Sequence, residues 1–132
     1  MPKLTDEKVV QRDTILFGGY DPKHYARGGV RYFDHIDAQT LRELEYRGFL
    51  DPNDAQNYSP TAGEILDWME QNPGFTAHGY AVFPERFDCR VTIEGVEFSG
   101  NVTLDNLIPF TEMFRHADDF DIRDNGLYCW YD

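Results

Sequence analysis

The sequence predicts a single α+β domain in which about three helices pack on one face of a mostly antiparallel sheet of about five strands. Two amphipathic segments with helix-capping residues occupy the first half of the chain, and alternation of apolar and polar residues dominates the second half. Ten Phe, eight Tyr and two Trp among 132 residues supply large side chains for a core. No linker, repeat or low-complexity segment divides the chain, so one domain over residues 1–132 is expected.

The N-terminal third of the chain carries the weakest structural signals. Residues 14–17, with the sequence TILF, form a short apolar run that is typical of a strand. The glycine pair at 18–19 and the Asp-Pro pair after it indicate a turn. Residues 30–33 follow another glycine pair and are a candidate for a second short strand.

Two helices are predicted over residues 38–47 and 60–71. Asp37 can cap the first, because its carboxylate accepts hydrogen bonds from the free N–H groups of the first turn. Gly48 suits the left-handed residue that ends such a helix. Ser59 is the expected cap of the second helix, which repeats apolar side chains on one face. Both helices are therefore expected to pack on the sheet.

A change to alternating apolar and polar residues after the second helix predicts the sheet. The pair Glu94-Gly95 is expected to form the turn of a hairpin, with Ile93 opposite Val96 on its apolar face. The other face of this hairpin is expected to be exposed to solvent. The predicted strands cover residues 75–83, 87–94, 96–102, 119–124 and 127–131.

A third helix is predicted over residues 104–116, where apolar side chains are frequent. Pro109 cannot donate a backbone hydrogen bond inside a helix, so the helix is expected to begin near Asn106. Asparagine is also a suitable capping residue at that position.

The C-terminal stretch HADDFDIRDNGLYCWYD combines carboxylates with aromatic side chains. Asn125-Gly126 is the preferred pair of a type I′ turn, so a hairpin is predicted here, with Ile122 opposite Cys129. The charged residues between the apolar ones then share the other face with Tyr128 and Trp130. A disordered acidic tail would lack this alternation, and the C-terminus is therefore predicted to be folded.

The charge balance is the strongest global signal. Twelve basic and twenty-four acidic residues give a formal net charge of −12 at pH 7. Residues 1–33 hold six of the basic and only four of the acidic side chains, so the excess negative charge belongs to the rest of the chain. Such a field repels nucleic acid and anionic membranes and attracts basic protein surfaces. Solubility alone is the alternative explanation of the charge.

Targeting signals and cofactor motifs are absent from the sequence. No apolar run approaches the length of a transmembrane helix and the start carries no signal sequence, so a cytoplasmic location is expected. A calcium loop beginning at Asp119 would place Arg123 at a ligand position, which a cation cannot fill. The histidines form no metal-binding motif, and the glycine pairs match no phosphate-binding fingerprint. No cofactor, no metal site and no catalytic set is therefore predicted.

The two cysteines, Cys89 and Cys129, lack CxxC spacing and are expected to be small core residues, with a disulfide between them left open. His78 lies beside Gly79, a residue type that in a strand marks a bulge or a close backbone approach. Because imidazole titrates near neutral pH, His78 with Asp88 or Cys89 is a candidate acid–base pair. A half-buried histidine with one hydrogen bond is the alternative that the sequence favours.

Three classes of function fit these features. The favoured one is a non-enzymatic acidic protein that docks on a basic partner, with nucleic-acid mimicry of the anti-restriction or anti-CRISPR kind as its sharpest form. Carboxylates would then replace phosphates in the groove of a nucleic-acid-binding protein. The others are an accessory interaction domain of a larger assembly and a small enzyme with His78 as general base.

The predicted partner-binding residues are carboxylates near the second helix and on the C-terminal hairpin, together with two aromatic anchors. They are Asp51, Asp54, Glu64, Asp67, Glu70, Asp118, Asp119, Asp121, Asp124, Tyr128 and Trp130.

Overall fold

A computed structural model of the chain describes residues 2–25, 29–83 and 90–132. It confirms the predicted α+β class, with four α-helices, a 3₁₀ turn at Pro22–Tyr25 and five strands in these ranges. The helices are α1 (Pro2–Phe17), α2 (Ala38–Tyr46), α3 (Ala62–Gln71) and α4 (Leu104–Phe114). The strands are β1 (Val30–Ile36), β2 (Phe75–Val82), β3 (Val91–Ser99), β4 (Asp119–Arg123) and β5 (Gly126–Trp130).

The strands form one antiparallel sheet in the order β1-β2-β3-β5-β4, so β1 and β4 are its edges. Apolar side chains from the sheet meet those of the helices in one buried cluster. Trp68 of α3 packs edge-on against Phe75 and Phe114, with ring centroids 4.6 and 4.8 Å apart. Phe110 of α4 stacks on Phe120 of β4 at 5.0 Å, so α4 reaches the edge strand. One face of the sheet is therefore apolar and covered by helices, and the other is polar.

Local capping explains the two predicted helices. The Asp37 carboxylate accepts the Thr40 N–H at 2.8 Å and begins α2 as expected. The predicted cap of α3 is wrong by two residues, because Thr61 and Glu64 form a capping box that satisfies two backbone N–H groups at once. The Ser59 oxygen instead accepts a hydrogen bond within the preceding turn.

Helix α4 begins at Leu104, the first residue of the predicted range, and not near Asn106 as expected from its proline. Asn106 lies in the first turn, where its side-chain oxygen accepts the N–H of Thr103 at 2.9 Å. Pro109 stands inside the helix and leaves the carbonyl of Asp105 without its helical donor. The apolar packing of Phe110 and Phe114, both fully buried, holds the helix in place despite that loss.

The predicted strand at residues 14–17 is wrong, because this segment is the last turn of α1. The Thr14 hydroxyl donates to the carbonyl of Val10 at 2.6 Å, and the N–H of Gly18 donates to the carbonyl of Thr14 at 3.1 Å. Leu16 is buried in the main core. An apolar run of this length has no period of its own, so it does not distinguish a helix from a strand.

A buried polar network attaches α1 to the sheet, and the sequence pattern did not predict it. Arg12 and Asp13 are both fully buried. The guanidinium donates to the carbonyl of Val82 at 2.7 Å, to the Asp13 carboxylate at 2.9 Å and to the Tyr25 hydroxyl at 2.9 Å. Burial and the hydrogen bond to Asp13 raise the pKa of Tyr25. The paired charges tie α1 and the 3₁₀ turn to the end of β2.

The predicted turn at Glu94-Gly95 is also wrong, because β3 runs through it without interruption. The register changes from His78 opposite Gly95 to Gly79 opposite Ile93, so Glu94 is the extra residue of a bulge. An added Cβ at Gly95 would lie 2.0 Å from the carbonyl oxygen of Cys129 and 2.8 Å from Nε2 of His78. The glycine therefore permits a close approach between strands. Residues 87–89 of the predicted hairpin lie outside the described residues.

The C-terminal hairpin exists, but its predicted register is shifted by two residues. Ile122 lies opposite Leu127 and not Cys129, and Asp124 and Asn125 form the loop. Neither loop residue has a positive φ, so the turn is not type I′. Their carbonyls accept the N–H groups of residues 102 and 100, at 3.1 and 3.0 Å, so tertiary contacts help to set the turn. A shift of two leaves every side chain on its predicted face.

Replacing Gly95 with alanine should lower the free energy of unfolding by about 2 kcal/mol or more, because the backbone must move to admit a methyl group. Urea denaturation followed by circular dichroism measures this change. Gly19→Ala is the matched control, since a Cβ there meets nothing within 4 Å. The control should change the free energy by less than about 0.5 kcal/mol. Equal losses in both variants would mean that the close approach does not constrain the sheet.

Candidate functional site

The polar face of the sheet is defined by side chains that alternate with the core residues. Tyr32 lies opposite Tyr80, with ring centroids 6.1 Å apart, and is 70% exposed. Glu97 lies between Thr76 on β2 and Tyr128 on β5. The polar face includes Tyr32, Thr76, His78, Tyr80, Thr92, Glu97, Asp119, Asp121, Arg123, Tyr128 and Trp130.

Glu97 is the buried centre of the polar face, with only 8% of its surface exposed. Its Oε2 accepts hydrogen bonds from the Thr76 hydroxyl and from the backbone N–H of His35, each at 3.0 Å. The His35 Nδ1 lies 3.5 Å from the same oxygen. No further donor to Glu97 occurs among the described residues, so Oε1 is left without a partner. The carboxylate is therefore fixed on one side and available on the other.

His35 has an unusual backbone conformation beside Glu97. Its φ is 57°, in the left-handed region that non-glycine residues seldom adopt. It lies where the pairing of β1 with β2 shifts between Phe33 and Ile36. Such strained residues persist only where the surroundings hold them, and they concentrate at functional sites. The hydrogen bond from the His35 N–H to Glu97 is one contact made in this conformation.

His78 is held from two sides in the middle of the face. Its Nε2 lies 2.8 Å from the carbonyl oxygen of Cys129, and its ring stacks on Tyr128 with centroids 4.9 Å apart and planes within 6°. A carbonyl only accepts, so Nε2 carries the proton and Nδ1 is the basic nitrogen. His78 is only 8% exposed.

This arrangement gives His78 a structural role and lends no separate support to its use as a general base. The proposed acid–base partners Asp88 and Cys89 lie outside the described residues. Cys129 is a free, buried thiol, and burial raises its pKa to about 12, so it is not a thiolate nucleophile at neutral pH. Catalysis by His78 stays a prediction.

Two adjoining depressions open on the polar face, with volumes of about 370 and 300 Å³. They share Asp34, Glu97 and Tyr128 in their walls. The larger one also contains the ion pair in which Nε of Arg123 binds the Asp121 carboxylate at 2.8 Å. Carboxylates outnumber cationic groups in these walls, so the site attracts positive charge.

The smaller depression contains a second partly buried carboxylate, Glu94. Burial raises the pKa of Glu94, and this effect outweighs the opposing effects of the Trp130 hydrogen bond and of His78. The indole of Trp130 is thereby held against the same wall. The depression therefore combines carboxylates with the aromatic side chains that are common at protein interfaces.

The hairpin residues predicted to bind a partner mostly lie on the polar face. Asp119 is opposite Trp130, and Asp121 is opposite Tyr128. Asp118 precedes β4 and is exposed, and its carboxylate accepts the N–H of Asp132 at 2.7 Å. Asp124 is exposed in the loop that follows β4.

The residues predicted near the second helix lie on the other side of the sheet. Asp67 and Glu70 both bind the guanidinium of Arg42 on α2. Glu64 is engaged in the α3 capping box, and the Asp51 carboxylate caps a turn. Asp54 is half-buried. The structure thus separates the predicted residues into two groups, and which of them bind a partner stays a prediction.

The residues on which the site is centred carry no distinctive signal in the sequence. The alternation along residues 91–98 predicted that Glu94 and Glu97 lie on the solvent-exposed face. It did not predict that both side chains are partly or largely buried there. Nothing in the sequence indicated the left-handed conformation of His35 or its contact with a residue 62 positions away. Asp34 was not predicted as a site residue, because it follows a predicted strand whose pairing partner the sequence does not indicate.

The described residues offer no other obvious chemistry. Among them, no group of three His, Cys, Asp or Glu side chains is placed to hold a metal ion. No helix in the described ranges has both the length and the apolar character needed to cross a bilayer.

Replacing Glu94 with glutamine should raise the free energy of unfolding at pH 7, because it removes a charge that burial disfavours and keeps the acceptor for Trp130. A raised folded-state pKa means that wild-type stability is complete at low pH and falls as the pH rises through that pKa. The advantage of the variant should therefore vanish below about pH 4. Urea denaturation across pH measures it.

The exposed Glu112→Gln is the matched control for this charge change and should show a difference of less than about 0.5 kcal/mol at either pH. An advantage of Glu94→Gln that persists unchanged in acid would contradict the burial argument.

The chain was compared with protein-family models, with curated proteins and with solved structures. None of the three comparisons finds a match. The geometry and charge of the polar face are therefore the basis for an inference about function.

Proposed function

We propose that this protein is a non-enzymatic binding protein that docks its polar face on a basic protein surface. The observation that carries the proposal is the Glu97 carboxylate, which is fixed through one oxygen and whose other oxygen has no donor among the described residues. It lies in the wall of two depressions, in a chain with a net charge of −12. A lysine or arginine side chain of the partner is the complementary group.

The surroundings of Glu97 favour an inserted cation. Asp34 and Asp121 line the same depression and add negative charge. Tyr128 borders it and offers an aromatic ring for a cation–π contact. Arginine suits such a site better than lysine, because its planar guanidinium both pairs with carboxylates and stacks on rings.

Preorganisation supports binding over a purely solubilising role. Surface carboxylates that only aid solubility lie exposed on flexible side chains, whereas Glu97 is held by Thr76 and by the strained residue His35. A partner that meets a fixed carboxylate does not lose the entropy of ordering it. The aromatic side chains Tyr128 and Trp130 belong to the residue types that dominate binding hot spots and interfaces.

A nucleic-acid-binding protein is the partner class that suits this charge pattern best. On β4, Asp119 and Asp121 project from the same side of the strand, about 7 Å apart by strand geometry. Such a row of carboxylates competes with phosphates for a groove lined by lysine and arginine. Inhibition of the anti-restriction or anti-CRISPR kind is the corresponding activity.

A pull-down from the lysate of the native host, with elution in salt steps and identification by mass spectrometry, tests the proposal. Three baits are compared: the wild type, a polar-face variant and a helix-side variant. The polar-face variant carries Asp34→Asn, Glu97→Gln and Asp121→Asn. The helix-side variant carries Asp67→Asn, Glu70→Gln and Glu112→Gln, so both variants lose the same charge.

The wild type and the helix-side variant should retain a basic protein that elutes below about 0.5 M salt, and the polar-face variant should not. Circular dichroism of each bait checks that it is folded. Equal loss in both variants would indicate attraction by net charge alone. Retention by the polar-face variant above about 0.5 M salt would indicate an accessory domain with an apolar interface. A captured DNA- or RNA-binding protein leads to a competition assay with its nucleic acid.

A further inference from the structure

An apolar patch borders the β4 edge of the sheet, away from the polar face. Leu104 is 69% exposed, Ile108 51% and Ile122 47%. Leu107 and Val102 line one depression together with Ile122, so the patch is continuous from α4 to β4. We call these five residues the edge patch.

The edge patch coincides with a free strand edge. β4 is the last strand of the sheet, so the backbone groups on its outer side have no strand partner within it. Natural proteins usually protect such edges with charges or covering segments, because a free edge pairs with other chains. β4 carries charges on its polar face, but Ile122 on its other face and Leu104 and Ile108 on the neighbouring helix are exposed and apolar. These exposed apolar side chains indicate that another chain covers this edge.

We propose that a second copy of this chain covers the edge, and that the two β4 strands pair antiparallel about a two-fold axis perpendicular to the sheet. Residues directly opposite each other in such a pair must belong to the same face. Few registers satisfy this condition along a strand of five residues. The charges of β4 distinguish among them.

One register is favourable, and it is self-complementary. With Ile122 opposite its own copy, Asp121 of each chain lies opposite Arg123 of the other. The existing bond between Arg123 and Asp121 within one chain then extends into a four-membered network of alternating charge. Pairing centred on Asp121 would place that carboxylate opposite itself. Pairing centred on Phe120 would place Asp119 opposite Asp121 twice, and like charges in those positions are destabilising.

The helices complete this interface. A two-fold axis perpendicular to the sheet keeps both helix layers on the same side, so α4 lies beside its own copy. Leu104 and Ile108 are four residues apart on α4, so they share one side of the helix, and both are exposed. The N–H of Val102 donates to the carbonyl of Asp124, so the free edge ends directly after β4. Because the strand pairing is short, contacts between the two α4 helices enlarge the interface. The same patch serves both copies, which is the property of a two-fold interface.

Sedimentation equilibrium over a range of protein concentrations tests the dimer. The wild type should change reversibly from 15.4 kDa to twice that mass as the concentration rises. Arg123→Asp should raise the Kd roughly 10- to 100-fold, because it places like charges opposite each other twice. The exchange Asp121→Arg with Arg123→Asp restores opposite charges and should recover most of the affinity. Arg123 is exposed, so these variants should fold, and circular dichroism checks this.

Arg47→Asp is the control, since Arg47 is exposed and pairs with Glu43 on α2, away from the edge. It should leave the Kd unchanged within about threefold. A wild type that stays at the mass of one chain at every concentration overturns the proposal. So does a dimer that tolerates Arg123→Asp, or one that Arg47→Asp weakens equally. The measurement needs no other protein, so its outcome is independent of the proposed function of the polar face.

Discussion

The close contact between Gly95 and the carbonyl of Cys129 is the constraint on which the centre of the sheet depends. β3 pairs with β2 on one side and with β5 on the other, and a side chain at Gly95 would push β3 and β5 apart. The same contact lets His78 reach that carbonyl and stack beneath Tyr128. The position of the polar face therefore follows from the absence of one side chain.

The two faces of the sheet are stabilised by different interactions. The apolar side gains stability from burial against the helices, with aromatic contacts that extend from α3 to the edge strand. On the polar side, a buried carboxylate at Glu97 loses hydration, and its hydrogen bonds offset that cost. Apolar residues in place of buried charges are often neutral or stabilising. The buried Glu97 carboxylate beside the strained His35 is therefore a poor source of stability, which agrees with the binding role proposed for it.

Local signals explain which parts of the structure the sequence predicts. The predicted bounds of α2 and α3 agree with the structure to within two residues, because caps and apolar stripes are properties of short segments. The last turn of α1 was wrongly predicted as a strand, because a segment of four residues with three apolar side chains fits the period of either a helix or a strand. The pair Glu94-Gly95 has the sequence of a turn but lies at a bulge. Its conformation depends on the close contact of Gly95 with Cys129 on β5, which the local sequence does not indicate. The hairpin faces were right and its register wrong, because a shift of two residues preserves the faces.

The stack of His78 on Tyr128 provides a reporter within the molecule. The two rings are nearly parallel, so the current in the phenol ring shields the imidazole protons and moves their resonances upfield. Tyr128 is partly exposed while His78 is buried, so a ligand that displaces the phenol alters that shielding without touching the histidine. The imidazole resonances thus report on a ligand that contacts Tyr128 on the polar face.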